Sequence, residues 1–506
     1  MGIPVTMNTA TNDAPLAPET VVVFGIPFSN VSFADTVEWV RQRVRSRRPA
    51  YIATANMDFL MQAWRDPELQ RILLEADLVV ADGIPIVWLS RMLGHPLKER
   101  VTGSDLVPLF AELAAREGFS IYGLGGALGV AEKATAKLAE RYAGLRVAGC
   151  YSPPKADILE MDNAGILARL ATADPDILLV AFGSPKQEKW VNLHIRRWKV
   201  PVSIGIGGSL DFLAGTQKRA PRWVQRLAFE WLWRMLSNPR RLFRRYVTNI
   251  LFLMGSLGQL FLLRCGPVSR GTRRASEPDD APAKDVPSMN RVVFPPSATS
   301  PEWALFRSAC DTAADLPLVV DTAERDWLDS RELGELLDLN RRCRASGRTL
   351  CVRVPSLRLT RALRFFRLDR YLDVASDLQE VMCRLQRAKA NPSTGSFQGE
   401  PDRRLRIVLP KELTAANVPE FRAKLDVAWN ELESAGNVTG VSVDASGVTF
   451  LDSAGVGFLI ALRTRALPLP GGFRCAGFSG IARQTLVITR MNTLFADDSP
   501  AAGGSS

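Results

Sequence analysis

Between Val21 and Gly215 the chain repeats one pattern: a short continuous apolar run, a polar or glycine-rich cluster, then a stretch of helical periodicity. The runs are VVVF, YIATAN, LVVADG, FSIYGLGG, LRVAGCY, ILLVAFG and VSIGIGG, with helical periods at 67–75, 105–117 and 129–142 between them. Strands that are apolar on both faces and separated by helices assemble into a parallel sheet covered on both sides. Residues 19–216 are therefore expected to form a Rossmann-like α/β domain. At 506 residues the chain exceeds one core, and about three domains are expected.

Composition narrows the classes further. The chain is 46% hydrophobic and 23% charged, which excludes wholesale disorder, a coiled coil and a multi-span membrane protein. Its seven cysteines include no C-x-x-C pair, and His95 and His194 are the two histidines. A zinc site and a disulfide framework are thus disfavoured, and a cytosolic chain without a secretory signal is expected. The net charge of +11 is local. Residues 217–274 hold 13 Lys/Arg against Glu230 as their single acidic residue, while the flanking parts are close to neutral.

Residues 1–18 and 497–506 read as disordered ends, and 217–266 as a basic helical appendage. Two linkers are expected at 267–290 and 388–404, rich in Pro, Ser and charge. The segments they bound, 291–387 and 405–496, repeat each other: LVVDTAERDWLDSRELGELLDL (318–339) aligns with VSVDASGVTFLDSAGVGFLIAL (441–462). Asp321 matches Asp444, Asp329 matches Asp452, and Ser330 matches Ser453. Two copies of one small α/β module are expected.

The polar clusters of the first domain all fall at carboxyl ends of expected strands, where open α/β sheets bind ligands. These are Thr54 and Asn56; Asp82 and Gly83; Gly123, Gly125 and Gly126; Gly183, Ser184, Lys186 and Gln187; and Gly205, Gly207 and Gly208. Glycines there let backbone N–H groups approach a diphosphate. One such cluster means little, because tight turns need glycine anyway. Five together point to a nucleotide or nucleotide-sugar crevice. Asp174-Pro175-Asp176 has the look of a metal-binding Asp-x-Asp, but it precedes a strand and so belongs to the opposite end of the sheet. The two histidines read as surface or capping residues.

In order along the chain stand T-A-N-M-D (54–58), A-D-G-I-P (81–85), E-R-V-T-G-S-D-L (99–106), G-S-P-K-Q-E (183–188), G-G-S-L-D-F-L-A-G (207–215), R-A-P (219–221) and E-W…R…P-R-R…R-Y (230–246). Over about residues 20–250 this set resembles the WecG/TagA/CpsF glycosyltransferases, glycosyltransferase family 26. The resemblance implies an inverting, metal-independent transfer of a hexose, N-acetylmannosamine or a related sugar, from a UDP-sugar to a polyprenyl-diphosphate-linked saccharide. That chemistry belongs to exopolysaccharide or cell-wall polymer assembly at the inner face of the cytoplasmic membrane. It makes Asp82 the general base; the competing role is a helix cap. Thr54 and Asn56 would line the sugar site, against plain turn chemistry. Gln187 would reach sugar or diphosphate, against a solvent-facing first turn.

Arginines and tryptophans interleave over 219–246, which suits an anionic membrane surface or a diphosphate. No nucleic-acid fold signature accompanies them, so no nucleic-acid partner is expected. The resemblance brings Arg241, Arg244 and Arg245 to the active site. Val247–Leu263 is uncharged for 17 residues and reads either as a membrane-embedded anchor or as a buried core helix. The stretch V-D-A-S-G-V-T-F-L-D-S-A-G-V-G-F-L (443–459) resembles a STAS domain, the fold of anti-sigma-factor antagonists. In that family the matching Ser453 begins a helix and can be phosphorylated, which implies a protein partner or kinase. The copy around Ser330 has Arg331-Glu332 in place of Ala454-Gly455 and reads as degenerate. In the opposing reading both serines are ordinary N-caps. The expectation is thus a regulated transferase, with a catalytically silent scaffold as the alternative.

Overall fold

The computed structural model describes residues 18–216, 233, 239–265, 288–296, 302–323, 325–390, 395–399, 404–434 and 438–495. Six parallel strands form the sheet of the first unit, in the spatial order Leu78–Ala81, Ala50–Ala55, Val202–Gly205, Ile177–Ala181, Ser120–Gly125 and Arg146–Tyr151. The first five are buried at every position and only the edge strand Arg146–Tyr151 is partly exposed. Alternate side chains feed two cores: Ile52, Val80, Ile121 and Leu179 on one face, Tyr51, Val79, Leu124 and Val180 on the other.

The run VVVF departs from its expected place in this sheet. Thr20–Val23 instead pairs antiparallel with Ile26–Ser29 as a separate two-stranded hairpin. The two residues between, Phe24 and Gly25, have φ of 48° and 80°, which suits a tight hairpin turn whose twist matches that of the strands. A strand with an antiparallel partner three residues away is captured locally before it can join a distant parallel sheet. The hairpin lies against the helix Ser330–Ala345, where a Cβ on Gly334 would stand 2.4 Å from the Thr20 carbonyl oxygen. Only glycine permits that approach.

The C-terminal part holds two α/β modules. The sheet of the first orders Val374–Ala375, Leu350–Arg353, Leu318–Asp321 and Asn290–Val293, all parallel. The second orders Ser396–Gly399, Arg404–Val408, Gly440–Asp444 and Phe473–Ala476. Ser396–Gly399 is antiparallel to its neighbour and lies inside the segment expected to be a linker at 388–404. The internal repeat holds in three dimensions, with one correction. The N-caps are Asp329 and Asp452, each accepting two backbone N–H groups, and Ser330 and Ser453 are the first helical residues. One carboxyl oxygen of the Asp accepts both first-turn N–H groups, so the cap falls on the Asp and not on the Ser that follows it.

Both modules clasp one helix of the first unit. In Pro67–Glu75, capped by Asp66, every residue from Pro67 to Leu74 is buried, including Glu68, Gln70 and Arg71. The Arg71 guanidinium lies over Tyr371 of the first module at 5.1 Å and Phe450 of the second at 4.8 Å, and pairs with Glu412 at 2.8 Å. The Gln70 amide donates to the Phe366 carbonyl at 3.1 Å. A cleft of ≈ 1490 Å³ opens beside these contacts, lined by Arg71, Tyr371, Glu412 and Phe450. It belongs to the junction of the units and not to the carboxyl ends of the sheet.

A single helix, Pro239–Cys265, contains the uncharged stretch. Asn249, Ser256 and Leu260 are buried along one side, and the Trp64 ring meets Phe252 at 5.6 Å and Phe365 at 5.1 Å. On the other side Phe243, Ile250, Leu251, Met254, Phe261 and Leu262 are exposed. Val247–Cys265 is long and apolar enough to cross a membrane, and 17% of it is buried, far less than a core helix requires. The amphipathic pattern around Trp223, Trp231 and the arginines of 219–234 lies outside the described residues, as do the terminal segments 1–17 and 496–506.

Candidate active site

All five clusters stand at carboxyl ends of adjacent strands, and backbone hydrogen bonds tie them together. The Asp82 N–H donates to Ala55 O at 2.9 Å, Val101 N–H to Ala81 O at 3.0 Å, Gly126 N–H to Ala181 O at 3.0 Å, and Ile206 N–H to Val180 O at 2.9 Å. Asp82 is half-buried, and a Cβ on Gly83 beside it would stand 3.9 Å from Asn56 Cβ, so the ends of these two neighbouring strands meet at one corner of the crevice. Gly125 makes a close approach. At φ +109° a Cβ would stand 2.7 Å from the Ala181 backbone, so no other residue lets these strand ends close. Gly126, Gly207 and Gly208 follow on the open side.

The polar side chains divide by what they touch. Asn56 caps the helix Met57–Arg65, its Oδ1 accepting the N–H groups of Asp58 at 3.0 Å and Phe59 at 3.3 Å. Thr54 is buried and donates its hydroxyl to Gly205 O at 2.8 Å, pinning one strand end to the next. Gln187 is 2% exposed, not solvent-facing, because its helix Lys186–His194 turns that side inward. Its Oε1 accepts from Gly183 N–H at 3.2 Å and Gly207 N–H at 3.1 Å, linking two glycine loops from beneath. Its Nε2 donates to Glu188 at 2.7 Å.

Glu188 escaped the sequence reading. It is fully buried, and burial lifts its carboxyl to about 7. The polar first turn Lys186-Gln187-Glu188-Lys189 disguises a helix in which Gln187, Glu188 and Lys189 are all buried. A tyrosine among small apolar residues, Tyr51 in Ala50–Ala55, is the one sequence sign of a buried polar partner. Next to Glu188, Lys189 pairs with Asp66 at 2.7 Å and Glu68 at 2.8 Å.

Asp174 and Asp176 lie at the amino end of Ile177–Ala181, paired with Arg47 at 2.8 and 3.3 Å. Asp176 also accepts the Ser120 N–H at 2.8 Å, so the pair is a structural clamp away from the crevice. Of the two histidines, His95 is half-buried, and His194 is not at the surface. His194 is buried against Trp190 and Trp198, and burial pushes its imidazole down to about 4. His95 pairs with Asp329 at 3.3 Å across the junction of the units. Arg244 is exposed on the long helix, whereas the side chains of Arg241 and Arg245 lie outside the described residues.

Ser453 lies at the junction and not among the strand-end clusters. It is 6% exposed and held by Glu68, to which it donates its N–H at 2.7 Å and its hydroxyl at 2.8 Å.

Comparison with known proteins agrees with this division. Residues 21–265 match the model of the glycosyl transferase WecG/TagA/CpsF family, and residues 396–496 match that of the Mlab, STAS domain. The match to the STAS model covers the second module alone. Among curated proteins, an N-acetylglucosaminyldiphosphoundecaprenol N-acetyl-beta-D-mannosaminyltransferase of Bacillus spizizenii (strain W23) is 32% identical over 207 residues, 40% of this chain and 79% of the relative. The enzyme of that name from Bacillus subtilis (strain 168) is 30% identical over 44% of this chain and 86% of the relative. That of Staphylococcus aureus (strain MW2) is 29% identical over 44% and 87%. With its parallel sheet, its ordered strand-end motifs and these relatives, the chain belongs to the WecG/TagA/CpsF family of glycosyl transferases.

Proposed function

We propose that the protein transfers a hexose with inversion from a UDP-sugar to a polyprenyl-diphosphate-linked saccharide at the inner face of the cytoplasmic membrane, in exopolysaccharide or cell-wall polymer assembly, under control of its C-terminal modules. One observation carries the reading: Asp82 follows the edge strand next to the strand end that carries Asn56, at the same end of the sheet as three glycine loops on the next three strands. Inversion requires a carboxylate that takes the proton of the acceptor hydroxyl as it attacks the anomeric carbon, while UDP leaves from the opposite face. Asp82 has that role. The Gly125-Gly126 and Gly207-Gly208 loops, which carry no side chains, let the donor diphosphate approach the strand ends, and Arg241, Arg244 and Arg245 offset its charge without a metal. Thr54 and Asn56 shape the sugar side.

The names of the relatives favour N-acetylmannosamine as the sugar and an N-acetylglucosaminyl-diphosphate lipid as the acceptor. An exposed apolar stripe, Ile84, Trp88 and Met92, begins two residues after Asp82 and suits the lipid end of such an acceptor. The exposed face of Pro239–Cys265, with arginines at its start, suits a membrane surface. The first C-terminal module shares three parallel strands in one order (Asn290–Val293, Leu318–Asp321, Leu350–Arg353 against Arg404–Val408, Gly440–Asp444, Phe473–Ala476) and the Asp-Ser helix start of the second, which supports a degenerate STAS copy.

The test is UDP release by the full-length protein across a panel of UDP-sugars, with a short-chain prenyl-diphosphate-GlcNAc acceptor, in EDTA and in Mg²⁺. Activity with one donor, unaffected by EDTA and reduced about 100- to 10,000-fold in Asp82→Asn with folding retained, is expected. An Asp82→Asn enzyme as fast as wild type would remove the assigned base. Silence with every donor, together with no UDP binding by calorimetry, would leave a scaffold.

A further inference from the structure

Gln187 is the only side chain among the described residues seen to bridge the Gly183 and Gly207 amides, and its usefulness depends on which way its carboxamide faces. Two backbone donors need the oxygen; the nitrogen must then find an acceptor in a region closed to water. Glu188 is that acceptor. Its Oε1 takes the Gln187 Nε2–H at 2.7 Å and stands 3.3 Å from the Tyr51 hydroxyl, and the Ser184 side chain also faces the carboxyl group. The pair presses on the end of the last strand as well: a Cβ on Gly205 would stand 2.6 Å from Gln187 Nε2 and 3.0 Å from Glu188 Oε1. A carboxyl group buried for packing alone has no reason to sit here, because burying a charge or an unsatisfied oxygen is unfavourable.

From this geometry we infer that Glu188, steadied by Tyr51, is a positioning residue for the transfer: it fixes the orientation of Gln187 and thereby the Gly183 loop and the Gly207-Gly208 loop, the second of which lies against the donor diphosphate in the transferase reading. The inference rests on the transferase reading above. Glu188 touches no reacting atom in this scheme and acts through Gln187 alone. A 1 Å error in a loop that holds the leaving group is enough to slow a reaction about 100-fold.

The test compares the full-length protein with Glu188→Leu, Glu188→Gln, Tyr51→Phe, Gln187→Ala and the double variant Gln187→Ala/Glu188→Leu. Glu188→Leu, similar in volume and without an acceptor, is expected to lower kcat/KM for the UDP-sugar about tenfold to 100-fold. Glu188→Gln keeps an acceptor oxygen and restores most of the loss. The double variant should be no worse than Gln187→Ala, because a residue acting through another adds nothing once that other is gone. Amide hydrogen exchange reads the same point without turnover: Gly183 and Gly207 exchange faster in Glu188→Leu, and to a smaller degree in Tyr51→Phe. A folded Glu188→Leu protein with wild-type kcat/KM and unchanged exchange at both glycines would overturn the assignment, as would additive losses in the double variant. A wild-type protein inactive with every donor is a failure of the transferase reading, and the exchange experiment still decides this one.

Discussion

Glu68, in the transferase unit, accepts both the N–H and the hydroxyl of Ser453, 385 residues further along the chain. The same carboxylate pairs with Lys189, two residues beyond Gln187 in the helix beneath the glycine loops. The helix start that the STAS resemblance would offer to an outside partner is thus occupied by the chain's own transferase unit. Asp329 of the first module likewise meets His95, so both modules turn their Asp-Ser ends toward the sheet domain.

Ser453→Asp sets a third carboxylate beside Glu68 and Asp452 in a buried junction. It is expected to loosen the second module, with faster proteolysis across residues 388–404 and faster amide exchange in 67–75. Ser453→Ala removes one hydrogen bond to a charged acceptor and should lower stability by about 1.5–3 kcal/mol. Unchanged protection in Ser453→Asp would mean that the junction is not held through this contact.

Asp452 makes the junction sensitive to pH. Burial first, and Glu68 second, lift its carboxyl from 3.8 to about 7. Between those values the folded state holds a proton that the unfolded chain has released, so this contribution is present at low pH and is lost as pH rises toward about 7. Asp452→Asn abolishes the titration. Its Tm should therefore fall less than that of wild type between about pH 5 and about pH 8. Glu188 and His194 titrate in both proteins and cancel in the comparison. Parallel Tm curves would refute the role given to Asp452.

The site was legible where chemistry follows from chain order, and hidden where it follows from contact. A strand that ends in A-D-G or L-G-G carries its own position on the sheet, so the strand ends of Asp82, Gly125 and Gly207 could be read directly. VVVF could not be placed by apolarity alone, since its hairpin partner Ile26–Ser29 is equally apolar. Only the Phe24-Gly25 turn decides between them. PELQRILLE reads as an ordinary amphipathic surface helix. Its charges are buried because residues 366, 371, 412, 450 and 453 close over them, a fact no local pattern contains.

Arg71 is the most heavily used of those charges. Burial opposes ionisation of its partner Glu412, yet the guanidiniums of Arg71 and Arg344 hold that carboxyl down at about 2. The stabilisation is complete above the unfolded value of 4.5 and is lost as pH falls toward 2. Arg71→Ala leaves Glu412 with Arg344 alone and removes the stacking on Tyr371 and Phe450. A loss of about 3–5 kcal/mol is expected, together with a shallower decline of stability below about pH 4. Arg71→Lys should recover little, because an ammonium neither stacks as a plane nor binds a carboxylate with two parallel N–H groups. Chemical denaturation at neutral and acid pH measures both. Full stability in Arg71→Ala would show that the modules dock without it.

The long helix separates two roles by face, and its two faces respond to different measurements. Leu251, Met254 and Phe261 are exposed in the folded chain, so replacing all three by serine costs no internal packing. Tm should stay near wild type. If this face enters a membrane, each replacement removes about 1–2 kcal/mol of apolar transfer, and cosedimentation with vesicles containing anionic phospholipid should drop steeply. Phe252 faces inward against Trp64, in contact with the helix Met57–Arg65 that Asn56 caps. Phe252→Ala is therefore expected to lower Tm, by an amount equivalent to about 2 kcal/mol or more, while leaving the vesicle-binding face in place. A triple-serine protein that still sediments with vesicles like wild type would move membrane attachment off this face.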